Sequence, residues 1–260
     1  MRARVYMISL AIMLCLVVEV AGQNEWTRKP FQQWTKEEAE KVLNDSPWVA
    51  RQEVRIRYAG EVTAVAGGAK QEATGGFMRT EQNTAMVGGA RAPVDFIFTL
   101  RLRSAVPVRQ ALSRLKQLEG QNEKGNQKDR ANFDARVKGL LECPACADNY
   151  VLALSSKSKE NPGADAVYTT FGGAKLANIK RYLFIANEKG ERRDLAYFVP
   201  PKAPGEEAIF FFPRLDEKGT PLLTPESKQL IFNVTNSEVN NIVNFRINVA
   251  PLVSSGVVQF

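Results

Sequence analysis

From Tyr150 onward, apolar and aromatic residues arrive in short runs cut by Gly, Pro, Asn and Asp, and this pattern most restricts the fold. YVLALSS, IKRYLFIANE, RDLAYFVPP, AIFFFPR, KQLIFNV and VNFRINV are rich in β-branched and aromatic residues, the types that fit a pleated, half-buried surface. None is long enough for a stable helix of three turns. Two similar tips, Asn187-Glu188-Lys189-Gly190 and Asp216-Glu217-Lys218-Gly219, join neighbouring runs, each with glycine last, as short hairpin loops prefer. Pro200, Pro201 and Pro204 lack the backbone donor that an interior strand needs and break the sheet between hairpins. Such spacing predicts an antiparallel sandwich or meander over residues 149–260.

The first half mixes periods. Thr35 followed by Glu38 forms a capping box, and Ala39, Val42 and Leu43 then mark one helical face, which Ser46-Pro47 ends. Val54, Ile56 and Tyr58 alternate with charged residues, and VDFIFTLRLRS (94–104) reads as a second strand. Gly pairs at 67–68, 75–76 and 88–89 punctuate loops around weak strands. Then the period changes: Val108, Ala111, Leu112, Leu115 and Leu118 recur at helical spacing, with Ser104 as a cap and Gly120 as the stop. Phe133, Val137, Leu140 and Leu141 mark a second helix from about Arg130. The expected fold is α+β, predominantly antiparallel β (sandwich-like or meander), with a helical hairpin at about 105–142 inserted between strands and a short N-terminal helix.

The N-terminus reads as an export signal. Arg2 and Arg4 precede an apolar stretch from Val5 to Val18, and Val20 and Gly22 are small residues at −3 and −1 of a cut before Gln23. The stretch is shorter than the roughly 18 residues a spanning helix needs. Residues 1–22 are therefore expected to be a signal peptide, 23–260 a single α+β domain, and the location periplasmic or secreted. Losing Arg2, Arg4 and Glu19 takes the formal charge from +7 to +6. A basic surface favours acidic partners such as anionic polysaccharide, lipid headgroups or nucleic acid, although the charges form no dense cluster and no nucleic-acid motif.

The chain has no histidine. That removes every Ser-His or Cys-His nucleophile pair and every imidazole metal ligand, as well as the side chain best suited to proton transfer near neutral pH. Catalysis would have to rest on carboxylates, Lys, Tyr, Ser or Cys. Ser156 and Lys159 match S-x-x-K, but in a polar loop and without the companion K-T-G. Asp194, Glu206, Glu207, Asp216 and Glu217 fall at loops and tips, where sequence alone pairs none of them. The Gly pairs fit neither a dinucleotide nor a phosphate loop. Asn233-Val234-Thr235 is a sequon in or beside a strand, relevant only to a eukaryotic secretory route. No catalytic residue, metal site or cofactor is assigned.

Cys143 and Cys146 offer three readings. A zinc site needs two further ligands, and the remaining Cys15 lies in the signal. A redox pair needs a depressed thiol pKa, whereas the helix predicted before Cys143 places the pair at a negative C-terminal end. The favoured reading is a local disulfide that fixes the helix-to-strand turn, with free thiols and a redox pair as the alternatives. Arg55, Arg57, Arg101 and Arg103 alternate on two strands. If those strands are neighbours, four guanidinium groups share one face that grips carboxylates, sulfates or phosphates; the plainer reading is the wet side of a half-buried sheet.

Two stretches, FQQWTKEEAEKVLNDSPW (31–48) and FFFPRLDEKGTPLLTPESKQLIFNV (210–234), together resemble an uncharacterised family of exported bacterial proteins in which a helix ending in D-S-P-W precedes a strand-rich body. The F-P-R-x-D-x-x-G-x-P stretch is similar to the β-rich part of GWxTD-domain proteins, without the G-W-x-T-D signature. The resemblance implies an envelope or secreted location and supplies no activity. The expected function is a non-catalytic exported module that binds a macromolecule at the cell envelope, a protein or an anionic polymer. The alternative is a His-independent hydrolase of envelope polymers.

Overall fold

A computed structural model describes residues 29–56, 94–120, 127–236, 241–254 and 257–258. The signal segment, Tyr58, Arg57 and the Gly pairs lie outside these residues. The α+β expectation holds: two antiparallel sheets, of five and four strands, carry the core, and helices precede and interrupt them.

The five-stranded sheet has β1 (Val49–Ile56), β2 (Val94–Leu102), β3 (Asn149–Ser158), β7 (Ala208–Pro213) and β6 (Tyr197–Val199), in that order. The four-stranded sheet has β5 (Arg192–Asp194), β4 (Leu183–Asn187), β8 (Gln229–Asn236) and β9 (Asn241–Asn248). A further pair, β10 (Val253–Ser254) and β11 (Val257–Val258), follows them. Register follows the apolar alternation. Phe96, Phe98 and Leu100 of β2 stand opposite Ser158, Ser156 and Leu154 of β3, and Leu152 of β3 stands opposite Phe210 of β7. In the other sheet Leu183 and Ile185 stand opposite Val234 and Phe232. Directly opposed side chains share a face, so each sheet presents one apolar face.

The two faces meet in a column of rings. Phe210 stacks on Phe198 at 5.3 Å and meets Phe232 of the other sheet at 5.4 Å; Phe232 in turn lies 6.0 Å from Phe212 and 6.2 Å from Phe245. All five rings are buried. Offset and edge contacts at these spacings add to the hydrophobic gain from burying the rings. One apolar cluster runs from Trp34 to Leu252.

RDLAYFVPP is a single run in sequence but two strands in space. Asp194 ends β5 in one sheet and Tyr197 begins β6 in the other. Between them Leu195 is fully buried and Ala196 N–H donates to Phe211 O at 2.9 Å. The two glycine-ended tips share one geometry. Asn187 Oδ1 accepts from the N–H groups of Lys189 and Glu191, and Asp216 Oδ1 from those of Lys218 and Thr220. Gly190 and Gly219 adopt φ of 82° and 79°, which only glycine takes up cheaply. Asn187 Nδ2 also donates to Leu222 O, three residues beyond the second tip.

The N-terminal helix α1 (Lys36–Asn44) has the capping box: Glu38 N–H donates to Thr35 Oγ1, and Thr35 N–H donates to Glu38 Oε2. Ala39, Val42 and Leu43 are buried, and so are Trp34 and Trp48 at its two flanks. The hairpin comprises α2 (Val106–Gly120) and α3 (Gln127–Glu142), between β2 and β3. Gly120 matters less as a stop than as a contact, since a Cβ there would lie 2.3 Å from the Phe133 ring of α3. Ser104 does not cap α2; its Oγ accepts from Val151 N–H and joins the end of β2 to β3. Three short helices have no counterpart in the periodicity: α4 (Ala145–Asp148), α5 (Ala166–Phe171) and α6 (Leu176–Ile179). Among the described residues no helix is long and apolar enough to cross a membrane.

Candidate binding surface

The sequence singled out four arginines, and β1 and β2 do pair. Arg55 stands opposite Asp95, and Arg101 opposite Val49, so both occupy one face. They sit at opposite ends of it: the six steps from Asp95 to Arg101 span about 20 Å of extended chain. Each is already engaged. Arg55 grips Asp95 with two hydrogen bonds, Nε to Oδ1 at 2.6 Å and Nη2 to Oδ2 at 2.7 Å, and this pairing holds the Asp95 carboxyl below its ordinary value. Arg101 is 13% exposed and makes four contacts: Leu43 O (2.6 Å), Asn44 Oδ1 (3.0 Å), Ser155 Oγ (3.0 Å) and Glu207 Oε1 (2.7 Å). Arg103 reaches the other Glu207 oxygen at 3.7 Å. The three described guanidinium groups thus each meet a carboxylate. Arg101 ties the C-terminal carbonyl end of α1 to the start of β7.

Of the five loop carboxylates, Glu217 is exposed at its tip and the other four are occupied in the same way. Asp194 accepts from Arg192, Glu206 from Lys202 N–H, and Asp216 from its own turn. Ser156 does not work with Lys159: its Oγ donates to Asp165 Oδ1 at 2.7 Å and accepts from Val167 N–H, while Lys159 Nζ pairs with Glu53 at 2.7 Å. Among the described residues no three acidic or thiol side chains cluster as a metal site. A cleft of about 400 Å³ lies between residues 29–34 and the first turns of α2, lined by Lys29, Phe31, Trp34 and Pro107 among others, with no carboxylate among the described residues of its wall.

Asp165 is a hub that the sequence pattern missed. It caps α5 by accepting from Val167 and Tyr168 N–H, accepts from Ser156, and through its other oxygen accepts from Gly205 N–H at 2.7 Å. An Asp directly before Ala-Val-Tyr was the available signal. Asp165→Ala is expected to cost about 2 kcal/mol, since it strips a cap and leaves the Ser156 hydroxyl proton and the Gly205 N–H without their acceptor. Urea unfolding of the variant checks this, and Asp165→Asn should recover part of the loss.

Among the described residues Tyr197 and Leu215 are the exposed large hydrophobic side chains. The outward face of the β7–β6 edge shows Tyr197, 58% exposed, with its ring 5.3 Å from that of Phe211. Ile209 and Val199 stand opposite each other on the same face, both partly exposed. Alternation puts Tyr197 and Val199 outward and Phe198 into the core, a pattern already present in A-Y-F-V. The disulfide between Cys143 and Cys146 is formed and sits between α3 and α4. No family model, curated protein or solved structure matches the chain.

Proposed function

We propose that the chain is an exported β-sandwich module that binds a macromolecular partner at the cell envelope, using the outward β7–β6 edge. The exposed Tyr197 ring, tilted against that of Phe211 at 5.3 Å, carries this reading. A large aromatic side chain left in water beside partly open Ile209 and Val199 is the composition found at the centre of protein interfaces, where Tyr supplies contact area at low entropic cost. The rest of the surface chemistry fits a binder better than a hydrolase. Asp95, Asp194, Glu206, Glu207 and Asp216 are committed to arginines or backbone amides, and a general acid or base needs a carboxyl free to exchange a proton with substrate. The n-region and apolar stretch of residues 1–22 support export, as does the resemblance in residues 31–48 and 210–234.

The test is a pull-down from envelope fractions with the mature chain from Gln23, run beside Tyr197→Ser. Recovery of one stoichiometric protein or polymer by the parent, cut at least about tenfold by the substitution, is expected for an aromatic hot spot. Equal recovery by both proteins, or no specific recovery by either, overturns the reading.

A further inference from the structure

The disulfide corner differs in three respects from the inert staple that its sequence position suggests. The bridge is asymmetric: Cys146 is buried at 4% exposure, whereas Cys143 is partly open to solvent. Cys143 also has φ of 39°, the sole positive φ among the described non-glycine residues, a left-handed conformation that costs a side-chain-bearing residue energy unless its surroundings impose it. Third, the helix end before it does not present the bare negative pole that disfavours a thiolate. Arg109, in the first turn of α2, donates from Nη1 to the carbonyls of Leu141 and Glu142, the last residues of α3. A cation on those carbonyls opposes the field of the helix C-terminus. Among the described contacts this guanidinium meets no carboxylate, and burial lowers its pKa. Arg214, after β7, lies within electrostatic reach of Arg109 and of Asp148 at the end of α4. The neighbouring acid on α3, Glu142, is bridged to Lys138 at 3.5 Å.

We infer that the Cys143–Cys146 bridge is a thiol–disulfide exchange site for a partner dithiol, with Arg109 as the positioning residue that makes the corner hospitable to a thiolate. One thiolate of the dithiol attacks Sγ of Cys143, the more exposed of the two residues; the Cys143–Cys146 bond breaks and Cys146 leaves as thiolate. The second thiol of the dithiol then attacks the mixed disulfide at its own sulfur and releases Cys143. The dithiol ends as a disulfide, two electrons pass to the protein, and the two cysteines take up the two protons the dithiol gives off. Opening the ring removes the constraint that holds Cys143 left-handed, so the turn joining α3 to β3 relaxes while the sheets keep their register. The site is separate from the β7–β6 edge and stands whether or not that edge binds a partner.

The experiment uses the mature chain and dithiothreitol. Three results are expected. The bridge opens, by mass of iodoacetamide adducts, while circular dichroism stays native. Alkylation of the reduced chain falls first on Cys143, with a pH midpoint below the ordinary thiol value of about 8.5. Arg109→Gln raises that midpoint by about one unit, a tenfold loss of thiolate near neutrality, whereas Arg109→Lys keeps it near the parent value. A bridge that opens only when the chain unfolds, a parent midpoint at or above about 8.5, or a midpoint indifferent to Arg109→Gln each overturns the inference. The parent midpoint stands as a test even where the Gln variant folds poorly.

Discussion

Phe210→Ala is expected to lower the unfolding free energy by roughly 3–5 kcal/mol. Phe210 is fully buried and its ring touches three others: Phe171 on α5 at 5.3 Å, Phe198 on β6 at 5.3 Å and Phe232 in the opposite sheet at 5.4 Å. Truncation removes the transfer free energy of the ring and leaves a void that three rigid neighbours on three different elements cannot collapse to fill. Phe210→Leu keeps most of the volume and should cost well under half as much. Urea unfolding of the two variants checks the pair. A loss below about 1 kcal/mol for Phe210→Ala would show that the ring column does not hold the sheets together.

Arg101→Met is the second. It keeps the aliphatic stem and deletes every polar contact, and it is expected to cost about 3 kcal/mol, since breaking a largely buried pair leaves its partners stranded. The stranded groups are the Leu43 carbonyl, Asn44 Oδ1 and Ser155 Oγ. Glu207 fares better because Arg103 remains 3.7 Å away. Arg101→Lys keeps the charge but not the fork, and one ammonium cannot span α1, β3 and Glu207 at once. Its expected cost is more than half that of the Met change. A double-mutant cycle with Glu207→Gln should give a coupling of at least about 1 kcal/mol. Additivity between the two sites would mean that Arg101 acts through Leu43 O, Asn44 and Ser155 and not through Glu207.

The strands and helices were legible because their periods are clean. Phe96, Phe98 and Leu100 alternate in sequence and all face the core; Thr35 and Glu38 cap α1 as their spacing requires. The sheet crossing at Leu195 was not legible, because R-D-L-A-Y-F-V has no proline or glycine at the point where it changes sheets. Helix α5 escaped because its six residues are too few for a period and only the Asp165 cap announces it. The arginine face illustrates a different limit. Alternation placed Arg55 and Arg101 on one face, but strand order and the loop carboxylate Glu207 decide which charges are free, and neither is local. The disulfide corner was read from the helix before it, and what changed its electrostatics is Arg109, 34 positions earlier than Cys143.

Because β5 runs directly into β6, a single unbroken stretch of backbone belongs to both layers, and β1 lies against β9 on the far side. Neither layer can peel off without the other tearing at that seam. Melting should therefore be one event by every probe, with no long-lived half-open species whose greasy inner face would draw proteases or adhere to membranes.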